Sequence, residues 1–152
     1  MALTGKITTE LGIKTPAAKF FNLFSTQLHH VQNITDRIQG GKVIQGDDWH
    51  GPDSVKHWSY TIDGKVVTCK EKIEDLDEEN KSMTFNLFEG DIDQHYKIFK
   101  GNLQVIDKND GGSTVKWTIE YEKINENVEP PYGYLDYLTK VTKDSDDHLL
   151  GA

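Results

Sequence analysis

The feature that most constrains the fold is an alternation of apolar and polar residues between positions 38 and 123. It is clearest in residues 115–122, where every odd position is apolar and every even position is polar. A period of two places all apolar side chains of a strand on one face, so one side of the resulting sheet is buried and the other meets water. The pattern predicts an antiparallel sheet as the dominant element.

Turn residues divide this stretch into strands. Asp63-Gly64 lies between two segments rich in β-branched and aromatic residues, 58–62 and 66–69, and is a strong signal for a two-residue hairpin loop. Asp110-Gly111-Gly112 predicts a second hairpin, and residues 77–80 predict a looser turn. Together with a first strand at residues 3–13, these signals predict seven strands.

Helical patterns lie on both sides of the main sheet region. Thr15-Pro16 places an N-cap residue before a proline at the first helical position, and a second short helix is predicted at residues 25–34. After Pro130-Pro131, apolar residues recur at helical intervals and predict a long amphipathic helix of about 18 residues. Its water-facing side is predicted to carry Asp136, Lys140, Lys143, Asp144, Asp146 and Asp147.

The order of these elements predicts one α+β domain over residues 1–152, with a sheet of seven antiparallel strands, two short helices and a long C-terminal helix. A twisted antiparallel sheet of this width curves, and one helix about 10 Å wide cannot fill its concave side. We therefore expect the sheet to wrap around the long helix and to enclose an internal cavity.

Charge and composition exclude several classes of function. Seventeen Lys and Arg residues against twenty-five Asp and Glu residues give a formal net charge of −8, which disfavours nucleic acid and anionic membranes as partners. No apolar run approaches the roughly 18 residues of a membrane span, and the first residues lack the features of a signal peptide. We expect a cytoplasmic protein, monomeric or weakly dimeric, without membrane insertion.

Motifs for metals, cofactors and common catalytic mechanisms do not occur in the sequence. The single cysteine, Cys69, excludes an intramolecular disulfide and is expected to be a buried, inert thiol. Residues 46–51 lack the Lys and Ser/Thr of a phosphate-binding loop, so a structural turn or a pocket rim is expected there. The histidines are scattered, and the adjacent pair His29-His30 is poorly spaced for a metal site. No metal and no cofactor is predicted.

Several segments along the whole chain resemble the major latex protein (MLP-like) family of the birch-pollen-allergen superfamily, which has the START-like helix-grip fold. The segments that carry the resemblance are residues 3–6, 31–35, 38–40, 46–49, 54–56, 58–65, 89–91, 115–123, 134–135 and 142–144. The resemblance implies an internal hydrophobic cavity that binds a small lipophilic plant metabolite of the sterol, fatty acid, flavonoid or terpenoid class. It also implies a role in defence or specialised metabolism.

The large apolar residues on the predicted inner faces have two interpretations that sequence does not separate, namely packing of a filled core and lining of a ligand site. The resemblance favours the second interpretation, with Tyr60 and Tyr121 supplying orienting hydrogen bonds. The predicted ligand-binding residues are Phe24, Leu28, Trp58, Tyr60, Met83, Phe85, Leu87, Phe99, Leu103, Trp117, Tyr121, Leu138 and Val141.

Two further hypotheses remain open beside a binding protein. Members of the superfamily act as cyclases and isomerases of reactive metabolites, and Tyr60, Tyr121 and Lys70 are the catalytic candidates for such an enzyme without a cofactor. Lys70 and Lys72 alternate with Cys69 and Glu71, so one of these two pairs faces inward. The third hypothesis is a protein-interaction module that uses the lip of the pocket.

Overall fold

In a computed structural model of the chain, which describes residues 3–51 and 53–151, the predicted strands form one antiparallel sheet of seven strands. The strands are β1 (Thr4–Ile13), β2 (Ile38–Gln45), β3 (Val55–Ile62), β4 (Lys65–Asp77), β5 (Ser82–Gly90), β6 (Tyr96–Asp107) and β7 (Ser113–Lys123). The helices are α1 (Ala17–Thr26), α2 (Tyr132–Gly151) and two 3₁₀ helices, Leu28–Asn33 and Asp91–Gln94. The α+β architecture is confirmed, whereas the ends of the predicted range 1–152 and Pro52 lie outside the described residues.

The strand order is β1-β7-β6-β5-β4-β3-β2, so the segment from α1 to the first 3₁₀ helix carries the chain from one edge of the sheet to the other. The Asp63-Gly64 hairpin is confirmed, and both residues have positive φ, 50° and 81°, as a tight primed turn requires. Register shifts interrupt the β2–β3, β4–β5 and β6–β7 pairings. Such irregularities bend strands, which supports the curvature of the sheet.

The long helix lies on the inner side of this sheet and contacts β1, β3, β7 and α1. It begins directly after the predicted Pro130-Pro131 break and has 20 residues. Its buried face includes the polar residues Thr142 and Ser145, and the Trp117 indole N–H donates to Thr142 Oγ1 over 2.9 Å. None of the described helices combines the length and the hydropathy that a bilayer crossing requires.

The two predicted short helices are present, with shifted ends. Helix α1 begins at Ala17 with Pro16 as its cap, because the Thr15 hydroxyl donates to Asp146 instead of capping the helix. The second short helix, predicted at residues 25–34, is the 3₁₀ helix Leu28–Asn33, because α1 extends to Thr26.

The polar face of α2 also differs from the prediction, because Asp144 and Asp146 do not simply face water. Asp144 accepts a hydrogen bond from the Thr35 hydroxyl over 2.7 Å. Asp146 accepts from the Thr15 hydroxyl over 2.6 Å and from the Thr15 backbone N–H over 3.0 Å. These carboxylates join the long helix to the segments that precede α1 and β2.

Replacement of Asp146 by alanine is expected to lower the free energy of unfolding by about 2 kcal/mol. Thr15 is fully buried, so its hydroxyl and N–H would both lose their acceptor without access to water. Urea unfolding of Asp146→Ala measures the loss, and Asp147→Ala, at the exposed neighbouring position, is the control. Equal stability of both variants would contradict this role for Asp146.

Candidate functional site

A cavity of about 90 Å³ lies between the concave face of the sheet and α2. Strands β2 to β7 supply its floor through their inward residues, α2 supplies its roof, and α1 with the first 3₁₀ helix closes one end. Typical pockets for drug-sized ligands are about 300–1,000 Å³. A guest of that size therefore enters only if lining side chains move outward.

Most residues predicted to bind a ligand do line this cavity. They are Phe24, Leu28, Trp58, Tyr60, Phe85, Leu87, Phe99, Trp117, Leu138 and Val141. Their side chains converge because the inner faces of neighbouring strands are in register, with Trp58 opposite Cys69 and Ile73 opposite Phe85. Whether these residues touch a ligand stays a prediction.

Three of the residues predicted to bind a ligand lie on the inner face but outside the cavity lining, and this corrects the prediction. Met83 and Leu103 are fully buried partners in the β5–β6 pairing and belong to the filled part of the core. Tyr121 packs on β1, where a Cβ atom added to Gly5 would lie 2.5 Å from its hydroxyl oxygen. Its hydroxyl is therefore directed at the sheet edge and away from the cavity.

The catalytic candidate Lys70 is also corrected. Because Cys69 and Glu71 take the inward positions of β4, Lys70 lies on the outer face, where it forms an ion pair with Glu89. Cys69 is buried as expected, and burial raises the pKa of its thiol to about 12. The Cys69 side chain therefore lines the cavity as an unreactive thiol.

Several lining residues were missed by the sequence analysis: Val31, Ile38, Cys69, Glu71, Gly101, Ile119, Tyr134 and Tyr137. Gly101 and Ile119 continue the alternation of β6 and β7, so the period of two already placed them on the inner face. Tyr137 lies three residues after Tyr134, and this interval places both side chains on the same face of the predicted helix.

Tyr134 marks one end of the cavity. It also borders a wider groove of about 770 Å³ between the β3–β4 hairpin, the second 3₁₀ helix and the segment before α2. The Tyr134 and Tyr60 hydroxyl oxygens are 2.7 Å apart in a hydrogen bond, and the Tyr134 ring lies 4.6 Å from that of Phe99. Burial raises the pKa of both tyrosines, so both hydroxyls stay protonated at neutral pH. Tyr134 therefore separates the cavity from the groove.

The opposite end holds a buried charged pair that sequence analysis also missed. Lys56 and Glu71 are cross-strand partners on the inner face, with Lys56 Nζ 3.7 Å from Glu71 Oε1. This is an ion-pair distance but too long for a hydrogen bond. Burial raises the pKa of Glu71 and lowers that of Lys56, while the attraction between the two charges opposes both changes. Lys56, Trp58 and Tyr60 follow one another at two-residue steps, so the alternation of β3 already indicated that Lys56 lies on the inner face.

Residues 46–51 form a structural turn beside this pair. The Asp48 carboxylate accepts hydrogen bonds from the backbone N–H groups of His50 and Gly51, which occupies the donors that a phosphate would need. Trp49 packs against Trp58 with ring centroids 5.4 Å apart. Trp58 lies directly over Gly41, where an added Cβ would approach its ring to 2.4 Å, so only glycine fits there.

His50 gives this end a pH dependence. Its Nε2 accepts the Leu28 backbone N–H over 3.1 Å, and burial together with the charge of Lys56 lowers the pKa of His50 from 6.5. As the pH falls, His50 therefore becomes protonated in the unfolded chain at a higher pH than in the folded protein. The contribution of His50 to stability is complete above a pH of about 6.5 and decreases below it.

Between pH ~7 and pH ~5, we expect His50 to account for a loss of less than about 1 kcal/mol, because the ring is partly exposed and screened by solvent. His50→Gln keeps an acceptor for Leu28 but does not titrate, so its free energy of unfolding is expected to fall less over this interval. Urea unfolding at several pH values compares the two proteins. Parallel pH profiles would show that His50 is not responsible.

The described residues contain no group of three or more His, Cys, Asp or Glu side chains placed to hold a metal ion. The adjacent His29 and His30 rings lie 4.0 Å apart and pack against each other. The polar side chains at the cavity include Tyr60, Tyr134 and Tyr137 toward one end and Trp58 and Glu71, with its partner Lys56, toward the other. This arrangement suits an apolar guest with few hydrogen bonds.

Known proteins are similar to this chain in both sequence and fold. The profile of the pathogenesis-related protein Bet v 1 family matches residues 2–152. MLP-like protein 43 of Arabidopsis thaliana is 41% identical over 98% of this chain and 95% of its own length, and MLP-like protein 31 is 40% identical over 98% and 88%. A crystal structure of ginseng major latex-like protein 151 from Panax ginseng superposes with a TM-score of 0.91 at 41% identity, covering 98% of this chain and 99% of that one. The chain therefore belongs to the Bet v 1 family, among its major latex proteins.

Proposed function

We propose that this protein binds a small lipophilic metabolite in the cavity between the sheet and α2. The observation that carries the proposal is the cavity itself, lined by aromatic and aliphatic side chains from strands β2 to β7, α1, α2 and the first 3₁₀ helix. A sterol, fatty acid, flavonoid or terpenoid is the ligand class, with a role in defence or specialised metabolism and a cytoplasmic location. Membership of a family with a ligand-binding fold supports this proposal.

Burial of apolar surface drives binding in such a site. It contributes roughly 25 cal/mol per Å² removed from water, before the costs of association and of ordering side chains. Because the cavity measures about 90 Å³, a larger guest needs lining side chains to move, and opening of the Tyr60–Tyr134 hydrogen bond joins the cavity to the groove beside Tyr134. The guest then replaces the tyrosine contact at that end of the cavity.

Native mass spectrometry of the purified protein, mixed with an extract of its source tissue, tests this proposal. Retention of an unchanged apolar compound at one molecule per chain is the expected result. If nothing is retained under conditions in which the protein stays folded, the proposal fails, and a filled core with a protein partner becomes the better explanation.

A second candidate, an isomerase or cyclase, is favoured by one observation: an acidic side chain and a phenol face the same apolar cavity. Burial raises the pKa of Glu71, which brings this carboxyl closer to the range useful for proton transfer at neutral pH. Tyr60 supplies a protonated hydroxyl at the other end. A cavity that folds a reactive guest into one conformer and excludes water accelerates cyclisation by orientation.

Incubation of the captured compound with the protein distinguishes the two candidates. A carrier returns it unchanged, whereas an enzyme gives a product, or a stereoisomer ratio, that differs from the protein-free control. For the enzyme, Glu71→Gln is expected to slow conversion more than Tyr60→Phe, because Glu71 is the only carboxylic acid among the described residues that line the cavity, and the Tyr60 hydroxyl stays protonated at neutral pH. Equal conversion with and without the protein would exclude catalysis.

A further inference from the structure

The inner face of the sheet carries polar groups that its own structure leaves unsatisfied. Lys56 is fully buried, yet its Nζ atom has no hydrogen-bond partner among the described residues. The same holds for Glu71 Oε1 and, by strict hydrogen-bond geometry, for Trp58 Nε1, although the Trp58 indole lies close enough to the Glu71 carboxylate to lower the pKa of Glu71 against the effect of burial. A buried polar group without a partner costs about 1–3 kcal/mol, so three such groups at one place call for an explanation.

These groups are neighbours in the sheet. Lys56 pairs with Glu71 across β3 and β4, and Trp58 pairs with Cys69 in the next inward step. Glu71 and Trp58 line the cavity, while Lys56 lies behind Glu71 as its counter-charge, 3.7 Å away. At this end, the cavity wall thus presents a hydrogen-bond acceptor, the Glu71 carboxylate, beside a donor, the Trp58 indole N–H.

From this arrangement we infer that Glu71 and Trp58 anchor a hydroxyl group of the apolar guest, with Lys56 as the positioning residue. The inference rests on the proposed function and specifies the ligand class as a lipophilic alcohol or phenol. Its hydroxyl donates to Glu71 Oε1 and accepts from Trp58 Nε1, which satisfies both wall groups at once.

Other head groups match this site less well. A ketone or aldehyde oxygen accepts from Trp58 but leaves the Glu71 oxygen without a donor. A carboxylate also accepts from Trp58, but it places a second negative charge beside Glu71 in a space with little water, where like charges repel strongly. A hydrocarbon leaves both wall groups unsatisfied.

Three probes of matched shape test the inference: naphthalene, 2-naphthol and 2-naphthoate, each measured by equilibrium dialysis at neutral pH. Two added hydrogen bonds are expected to make 2-naphthol bind about 25-fold tighter than naphthalene, since each net hydrogen bond typically contributes about a factor of five. The 2-naphthoate anion is expected to bind no better than naphthalene.

The double variant Lys56→Met/Glu71→Leu removes the acceptor of the anchor without leaving one buried charge alone. Because only the Trp58 donor then remains, its preference for 2-naphthol over naphthalene is expected to fall to about fivefold. Trp58→Phe, which removes only the donor, is expected to lose about half of that preference on a logarithmic scale. Lys100→Met/Glu74→Gln removes a partly exposed ion pair at a distance of 3.2 Å and is expected to keep the wild-type preference.

The outcomes separate the anchor from the proposed function. Equal affinity of wild type for naphthalene and 2-naphthol overturns the anchor but leaves the cavity as a binding site, as does a double variant that keeps the full wild-type preference. Tightest binding of 2-naphthoate overturns it in favour of an acid paired with Lys56. If no probe binds the folded wild type, the proposed function fails, and the anchor fails with it.

Discussion

A Gly101→Leu variant is expected to lose roughly 100-fold in affinity for an uncharged lipophilic probe, a loss of about 2.7 kcal/mol. Gly101 lies in β6 between Phe99 and Leu103 and lines the cavity. A Cβ atom added there meets no other atom within 4 Å, so the new side chain has open space in front of it. Because the cavity holds only about 90 Å³, a leucine side chain occupies the volume that a guest needs.

The same substitution is expected to leave the fold intact. Filling an apolar cavity adds packing contacts, so the free energy of unfolding is expected to stay the same or to rise by about 1 kcal/mol. Titration with the fluorescent probe N-phenyl-1-naphthylamine measures the affinity, and urea unfolding measures the stability. A loss of binding without a loss of stability is the combination that identifies the cavity as the binding site.

The control for this experiment is Gly40→Leu. Gly40 also has no atom within 4 Å of an added Cβ, but it belongs to the edge strand β2 and does not line the cavity. Its affinity for the probe is expected to equal that of wild type. If Gly101→Leu binds the probe normally, the ligand site lies elsewhere, and the groove beside Tyr134 becomes the next place to examine.

The Lys56→Met variant is expected to lose about 3–5 kcal/mol of stability, a large part of the total for a domain of this size. Methionine fills a similar volume, so the loss does not come from a packing defect. It comes from Glu71, whose carboxylate would remain buried without its counter-charge. Urea unfolding followed by circular dichroism measures the change.

Two further variants show whether the charge is responsible. Lys56→Met/Glu71→Leu is expected to recover most of the lost stability, because well-packed apolar residues often replace a buried ion pair at little cost. Lys100→Met, in a partly exposed pair with Glu74, is expected to cost less than about 1 kcal/mol. If the double variant is no more stable than Lys56→Met, the shape of the lysine side chain, and not its charge, supports this end of the sheet.

Local sequence patterns were sufficient for the seven strands and the long helix, and for the inner faces of β3, β5, β6 and β7. The period of two assigned Trp58 and Tyr60 to the inner face of β3, and the same two-residue step includes Lys56. Lys56 was not predicted on the inner face, because a lysine there contradicts the ordinary preference of charged groups for water. Its presence there depends on Glu71, which becomes its neighbour only when β3 and β4 pair.

The position of a residue along the sheet could not be predicted in the same way. Tyr121 lies on the inner face, as predicted, but it packs over Gly5 of the edge strand β1 and not over the cavity. Leu103 also lies on the inner face, but in the part of the core that is filled. Alternation says which side of a strand a residue occupies, but the depth of the space above it depends on where α2 crosses the sheet. The boundary between filled core and cavity is therefore a property of the assembled layers.

By itself, the sequence determined the seven strands, their tight turns, the long helix after Pro130-Pro131 and the family, because these depend on local periodicity, turn chemistry and overall similarity. The tertiary structure alone decided which of Lys70 and Glu71 faces inward, and it brought Tyr134 to Tyr60 and Asp146 to Thr15. Those contacts join residues far apart in the chain. Their energies depend on burial and on partners that exist only once the sheet has closed around the helix.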